Sequence, residues 1–120
     1  MSLGVWIAVA LLGGAGAVLR FELDGLVQRV ADEFPLGTLA VNATGSLALG
    51  ILVGAGVGGD ALLLAGTGLL GSFTTFSTWM LETQRLTEDG DERVAAWNIG
   101  LSVAVGLAVA GGGWAIGAVL

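Results

Sequence analysis

Residues 61–81, ALLLAGTGLLGSFTTFSTWML, decide the fold class of this protein. The stretch contains no charged residue, and it is long enough to cross the hydrocarbon core of a bilayer as a helix, which takes roughly 17–25 apolar residues. Three further charge-free stretches share these properties, at residues 3–19, 36–59 and 94–120. The sequence therefore predicts an all-α membrane protein with four transmembrane helices.

The composition agrees with this prediction and excludes several classes of function. Of the 120 residues, 55% are hydrophobic and 12% are charged, whereas soluble domains carry about 25% charged residues. There is no Cys and no His, so disulfides are excluded and the commonest general base and metal ligand are missing. The net charge of −6 and the lack of a basic patch argue against nucleic acid as a partner. We therefore expect that this protein is not an enzyme.

We predict a single domain, residues 1–120, with helices at about 3–19, 36–56, 61–83 and 94–119. Pro35 is expected to start the second helix, because proline at a first helical position loses no hydrogen bond. Residues 21–34 place apolar side chains at helical spacing, with Gln28, Arg29, Asp32 and Glu33 on the opposite face. We expect them to form a separate amphipathic helix in the membrane interface.

An unusual run, GSFTTFST, occupies residues 71–78 near the middle of the third predicted span. Ser and Thr offer the backbone alternative hydrogen bonds, and a broken helix at membrane depth survives only where it is buried or lines a polar cavity. We predict a break here. The alternative is a regular helix whose Ser and Thr side chains bond back to its own carbonyls.

Polar residues repeat at helical spacing inside three of the predicted spans. Such groups are expensive in lipid and often functional; the alternative is that they only join helices. Amide and hydroxyl donors without a fixed cation, beside the electropositive ring edges of Phe76 and Trp79, suit a small anion that must bind and leave. The stripes are Thr38, Asn42 and Ser46; Ser72, Thr75, Thr78 and Glu82; and Asn98 and Ser102.

Glycine is abundant, with 22 residues, and several glycines are four apart. Gly50 and Gly54, Gly54 and Gly58, and Gly113 and Gly117 have this spacing. In lipid, small residues at such positions let helix backbones approach closely. These pairs predict a tightly packed or self-associating helix bundle.

Three motifs carry a family resemblance along nearly the whole chain. They are GGAGAVLR at residues 13–20, PLGTLAVNATG at 35–45 and GSFTTFST at 71–78. In this order and spacing, they resemble the Fluc (CrcB) family of fluoride channels.

The resemblance implies two four-helix chains paired antiparallel in a prokaryotic cell membrane, with two narrow pores that export fluoride passively. It also implies a central Na⁺ ion, structural and not transported, held by the backbone carbonyls of Gly71 and Thr74. Arg20 matches a vestibule position. The expected fluoride pore residues are Asn42, Phe76, Trp79, Thr38, Ser77, Thr78, Glu82, Asn98 and Ser102.

The chain departs from the family pattern at three positions. Trp79 stands where the family has a second phenylalanine, Asn98 where it has a tyrosine on helix 4, and Phe21 where it has a tyrosine after the vestibule arginine. The first two leave open how well a symmetric homodimer conducts.

The arginines leave the dimer's composition open as well. All four, Arg20, Arg29, Arg85 and Arg93, fall on one side of a four-span topology, and such a bias predicts one orientation, with both termini outside. A singly oriented chain pairs antiparallel only with a different partner, so a heterodimer with a paralogue is an alternative to the homodimer.

Two other functions are considered for this sequence. One is a small multidrug transporter, which needs a carboxylate in helix 1 that residues 3–19 lack. The other is a non-transporting assembly subunit.

Overall fold

The computed structural model describes residues 1–31 and 33–120. Within them, four helical spans are long and apolar enough to cross a membrane: Leu3–Gln28, Leu36–Gly54, Gly59–Glu88 and Glu92–Ala118. The predicted all-α fold of four spans is confirmed, and the chain is a multi-pass membrane protein. The elements are α1 (Leu3–Gln28), α2 (Leu36–Gly54), α3 (Gly59–Leu62), a π-helical segment (Leu63–Leu70), α4 (Gly71–Phe73), α5 (Ser77–Glu88) and α6 (Glu92–Ala118).

The first helix is longer than predicted. α1 has 26 residues, and at about 1.5 Å per residue it is longer than the roughly 30 Å hydrocarbon core. The prediction of a separate amphipathic helix at 21–34 was wrong, because residues up to Gln28 continue α1. No proline interrupts this stretch, and Gly25 alone does not stop the helix. Asp32, which we placed on the polar face, lies outside the described residues.

The end of α1 holds the start of α2. Gln28 donates from Nε2 to the Phe34 carbonyl at 3.2 Å and accepts from the Gly37 N–H at 3.0 Å. Pro35 is the N-cap of α2 and not its first helical residue as expected; the helix begins one residue later, at Leu36. A side-chain acceptor at a helix N-terminus satisfies one of its unpaired N–H groups, so the extension of α1 fixes where the second span begins.

Glycines bring α2 and α6 into backbone contact. A Cβ on Gly50 or Gly54 would meet the backbone of Ala110 or Trp114 on α6. In return, a Cβ on Gly113 would meet the Leu47 carbonyl, and Gly117 lies equally close to α2. The predicted pairs Gly50/Gly54 and Gly113/Gly117 therefore form the contact between these two parallel helices. Gly58 lies outside α2, and nothing lies within 4 Å of its Cβ position.

The third span is broken where the sequence predicted. The chain is helical through Phe73, leaves helical geometry at residues 74–76, and becomes helical again at Ser77. The π-helical segment before the break was not predicted; it ends with the Gly71 N–H bonded to the Gly66 carbonyl, five residues earlier. π-Helical turns often accompany functional sites, and this one leads directly into the polar run.

Candidate functional site

The break is held open by one side chain from the neighbouring span. Thr74 has an extended backbone, with φ −83° and ψ 161°, so the Thr75 backbone has no helical partner. The Asn42 amide replaces that partner on both sides, because Nδ2 donates to the Thr75 carbonyl and Oδ1 accepts from the Thr75 N–H, each at 2.8 Å. The unwound backbone is therefore satisfied inside the membrane span, as burial in lipid requires.

The hydroxyls of the break tie its two helical ends. The Thr74 hydroxyl donates to the Leu70 carbonyl at 3.0 Å, which caps the helix before the break. The Thr75 hydroxyl accepts from the Thr78 N–H at 3.2 Å and donates to the Thr78 hydroxyl at 3.1 Å. Ser77, which is exposed, has its hydroxyl 3.5 Å from that of Thr75. Each threonine of the motif thus serves one end of the break.

A groove of about 520 Å³ opens where the break faces α2 and α6. Its aromatic members, Phe76 and Trp79, meet edge to face, with ring centroids 5.6 Å apart and planes at 82°. Phe76 is 71% exposed, so the groove is open on this side in the single chain. The predicted site residues that line it are Asn42, Gly71, Thr74, Phe76, Trp79 and Ser102.

Trp79 and Asn98, two of the three departures from the family pattern, are hydrogen-bonded to each other. The Trp79 indole N–H donates to the Asn98 carbonyl at 3.0 Å. The Asn98 amide donates to the Thr83 hydroxyl at 2.9 Å, and that hydroxyl donates to the Trp79 carbonyl at 2.9 Å. Asn98 is 1% exposed and lies between α5 and α6; it does not itself line the groove, although Trp79, to which it is bonded, does. Sequence reasoning missed Thr83, whose position four residues after Trp79 was the available signal.

A second cavity, of about 350 Å³, lies on the other side of the break. Arg20, the predicted vestibule residue, lines it together with Thr38 and Thr78. Thr38 donates to the Glu82 carboxylate at 2.5 Å, which brings these two predicted residues together. Asp24 also lines this cavity and was not predicted as a site residue; it lies four residues after Arg20 on the same helix. Thr75 lines both cavities, so the break forms part of the wall between them.

The break also supplies free carbonyl oxygens. In the part of the chain that the structure describes, neither the Gly71 carbonyl nor the Thr74 carbonyl accepts a hydrogen bond. Both residues line the groove at the C-terminal end of a helical run, where the helix dipole is negative. Among these residues no group of three His, Cys, Asp or Glu side chains that could hold a metal ion is found.

Comparison with known proteins agrees with the sequence motifs. The family described as CrcB-like protein, Camphor Resistance (CrcB), matches residues 7–114. Proteins named Fluoride-specific ion channel FluC 2 from Mycobacterium tuberculosis (strain H37Rv) and Haloarcula marismortui are 54% and 52% identical, over 92% and 87% of this chain and 88% and 86% of their own. A Fluoride-specific ion channel FluC 1 from Symbiobacterium thermophilum is 41% identical over 93% of this chain and 96% of its own. With matches along nearly its whole length, the chain belongs to the CrcB family.

Proposed function

We propose that this chain is a subunit of a fluoride-selective ion channel, which lets fluoride leave the cell passively and so lowers its cytoplasmic concentration. The observation that carries the proposal is the groove at the broken third span, where an amide, hydroxyls and two aromatic rings meet at membrane depth. The names of the relatives support it.

The chemistry of the groove suits a small anion. Phe76 and Trp79 present ring edges, which are electropositive, and hydroxyls supply hydrogen-bond donors without a fixed positive charge. Such a site replaces part of the hydration of fluoride and still lets the ion leave, as conduction requires. In the cavity beyond the break, Arg20 supplies a positive charge beside the negative charge of Asp24.

A Na⁺ ion at the break is part of the proposal. The Gly71 and Thr74 carbonyls would hold it, since both oxygens lack a hydrogen-bond partner among the described residues and both residues line the groove. The cation would balance the negative end of the preceding helix and keep the break in one conformation. Its role is structural, and it is not transported.

The exposure of the groove supports a second chain. Phe76 is a large aromatic residue with 71% of its surface exposed beside a polar groove, a position that a partner subunit would cover. We propose an antiparallel dimer. A heterodimer with a paralogue is favoured over a homodimer by the placement of all four arginines on one side.

Fluoride efflux from liposomes tests the function. The protein is reconstituted alone and with a paralogue, and release is read with a fluoride electrode, with chloride-loaded vesicles as control. We expect fast efflux of fluoride and none of chloride. Fast efflux from the chain alone would exclude the heterodimer, whereas no efflux from either preparation of folded protein would contradict the channel.

A pair of aromatic variants locates the pathway. Phe76→Ala removes a ring from the groove and should abolish most of the flux. Trp97→Ala removes a ring that is 62% exposed and lines neither cavity, so its flux should match that of the unmodified protein. Equal flux in both variants would place the pathway outside the groove.

A further inference from the structure

We propose that Asn42 is the positioning residue of the cation site, because it holds the peptide group whose carbonyl the cation would use. The inference rests on the Na⁺ site proposed above. It assigns Asn42 a role beyond lining the fluoride pathway.

The geometry of one peptide group supports this role for Asn42. A trans peptide is planar, so the Thr74 carbonyl and the Thr75 N–H belong to one plane and point in opposite directions. Asn42 Oδ1 accepts from that N–H at 2.8 Å. The Thr74 carbonyl is therefore turned away from the Asn42 amide. The second bond, from Nδ2 to the Thr75 carbonyl at 2.8 Å, fixes the next peptide plane as well.

Little else orients the Thr74 carbonyl. The helical i→i−4 pattern reaches the break from both sides, because the Thr74 N–H bonds to the Leu70 carbonyl and the Phe76 carbonyl accepts from the Met80 N–H, each at 3.0 Å. It does not include the peptide between Thr74 and Thr75, so no helical bond sets that plane. Among the described residues the Thr74 carbonyl itself accepts no hydrogen bond. The remaining ties of the break, from the Thr74 and Thr75 side chains, act on other atoms. Outer partners of this kind orient metal ligands, and losing one typically costs about 10–100-fold in metal affinity.

The arrangement couples the two ions through one side chain. Asn42 lines the groove, yet its oxygen and one of its two amide hydrogens are engaged with Thr75. One N–H remains for the anion. A change at Asn42 should therefore alter cation binding as well as fluoride conduction.

The sequence allows this peptide group to be observed alone. Thr74–Thr75 is the only pair of consecutive threonines in the chain. Protein labelled with threonine carrying ¹³C at the carbonyl and ¹⁵N at the amide gives a single cross-peak between a carbonyl carbon and the following nitrogen. The ¹³C shift reports the Thr74 carbonyl, and the ¹⁵N shift reports the N–H bonded to Asn42.

The experiment is a Na⁺ titration of labelled protein in lipid bilayers, at constant ionic strength against choline chloride. In the unmodified protein, Na⁺ should shift the ¹³C resonance. Asn42→Ala should move the ¹⁵N resonance without Na⁺ and weaken Na⁺ affinity by about 10-fold or more. Gln84→Ala is the control, since it removes a side-chain amide that bonds to Glu88 on the exposed face of α5 and lines neither cavity, and its Na⁺ response should be unchanged.

The outcomes separate the inference from the proposal beneath it. No Na⁺ response in the unmodified protein overturns the cation site and the inference together. A normal response with equal affinity in Asn42→Ala overturns the inference alone. Should Asn42→Ala fail to fold, Asn42→Ser takes its place, since its shorter side chain cannot bond to both the Thr75 N–H and the Thr75 carbonyl. It should move the ¹⁵N resonance and weaken Na⁺ affinity, and unchanged Na⁺ affinity in that variant overturns the inference.

Discussion

At the scale of single residues, the role of the Trp79 indole N–H differs from the one that its chemistry alone suggests. An indole N–H in the groove looks like an additional donor for fluoride, but in the structure it donates to the Asn98 carbonyl at 3.0 Å. The ring is thereby fixed, and its contribution to the groove is an aromatic surface set edge to face against Phe76. Trp79 therefore contributes to the groove what a phenylalanine would, an aromatic ring, which here is held in place by a hydrogen bond.

Trp79→Phe tests this view of the residue. The variant loses one hydrogen bond, which should lower the free energy of unfolding by about 1 kcal/mol, and it should keep fluoride-only efflux because a ring edge remains. Trp79→Ala should lose the efflux. Denaturant unfolding in micelles and the liposome assay measure the two effects. If Trp79→Phe conducts as poorly as Trp79→Ala, a ring edge alone is not sufficient and the indole N–H is needed for conduction.

Thr38 makes a second contact that a single substitution can isolate. Its hydroxyl donates to Glu82 at 2.5 Å, and Thr38 is 2% exposed. Thr38→Val keeps the shape and removes the donor, and a hydrogen bond to a charged group is worth about 1.5–3 kcal/mol. We expect a loss of unfolding free energy in that range. Thr44→Val, at an exposed position of the same helix, should be close to neutral; equal losses in both variants would show that the Glu82 contact contributes nothing.

The residues of the site could be predicted from the sequence better than their contacts. Hydroxyl and amide groups inside apolar stretches can be identified from one sequence alone. In the structure, Asn42, Phe76 and Trp79 do meet in one groove. Both the oxygen and the nitrogen of the Asn42 amide bond to the Thr75 backbone. This contact depends on how the second and third spans are placed relative to each other. Spacing along one helix carries no such information, and for the same reason Asp24 and Thr83 were missed.

At the scale of elements, the sequence predicted what local chemistry determines. The break at residues 74–76 follows from Ser and Thr competing for the backbone. The ends of α2 and α5 also follow from local chemistry, that of glycine, although no glycine was singled out for them. Gly56 and Gly90 have positive φ values of 77° and 86°, and each closes its helix with a bond from the next N–H, Val57 to Leu52 at 3.0 Å and Asp91 to Leu86 at 2.8 Å. These are Schellman endings.

The length of α1 and the π-helical segment were not predictable in this way. Residues 21–28 have a polar composition that suggested a new helix, but a helix continues until something stops it. The π-helical turns lie where the third span packs on α1, with Gly16 against the Leu69 carbonyl and Gly68 near Val9. The π-helical segment therefore coincides with contacts between spans, which the local sequence pattern does not show.

The contact between α2 and α6 gives the sharpest prediction at this scale. A Cβ on Gly113 would meet the Leu47 carbonyl, whereas nothing lies within 4 Å of a Cβ on Gly112. Gly113→Ala should lower the free energy of unfolding by about 1–3 kcal/mol, the usual cost of overpacking. Gly112→Ala should be neutral or stabilising by up to about 1 kcal/mol, because alanine favours a helix over glycine. Parallel unfolding curves in micelles compare the neighbours, and equal stability would mean that α6 does not pack on α2 through this face.

At the scale of the whole molecule, the chain has few buried side chains. Among the described residues the buried hydrophobic core consists of Val41, Phe73, Leu86 and Ala95. For a protein whose outer surface meets lipid this is sufficient, since apolar side chains gain little by leaving hydrocarbon for the protein interior. The open groove beside Phe76 is different, because it carries polar groups that need a partner or water. The proposed second chain is therefore supported by the open site and not by the fold.

The orientation of the chain in the membrane decides which assembly is available. All four arginines lie on the side of the membrane where α1 ends and α5 meets α6, and no basic side chain lies on the other. Basic residues stay on the cytoplasmic side, so we expect a single orientation with both termini outside. Reporters that are active on only one side of the membrane, fused to Leu120, measure this, and the C-terminus should be detected outside alone.

A variant with its arginines divided equally between the two sides is the control for this experiment. Replacing Arg85 and Arg93 with Gln and placing two arginines in the loop near Asp60 should move part of the signal inside, because the bias then becomes two against two. Equal signals from both sides in the unmodified chain would mean that four arginines, partly offset by neighbouring acidic residues, do not fix insertion. The antiparallel homodimer would then be the assembly that completes the groove.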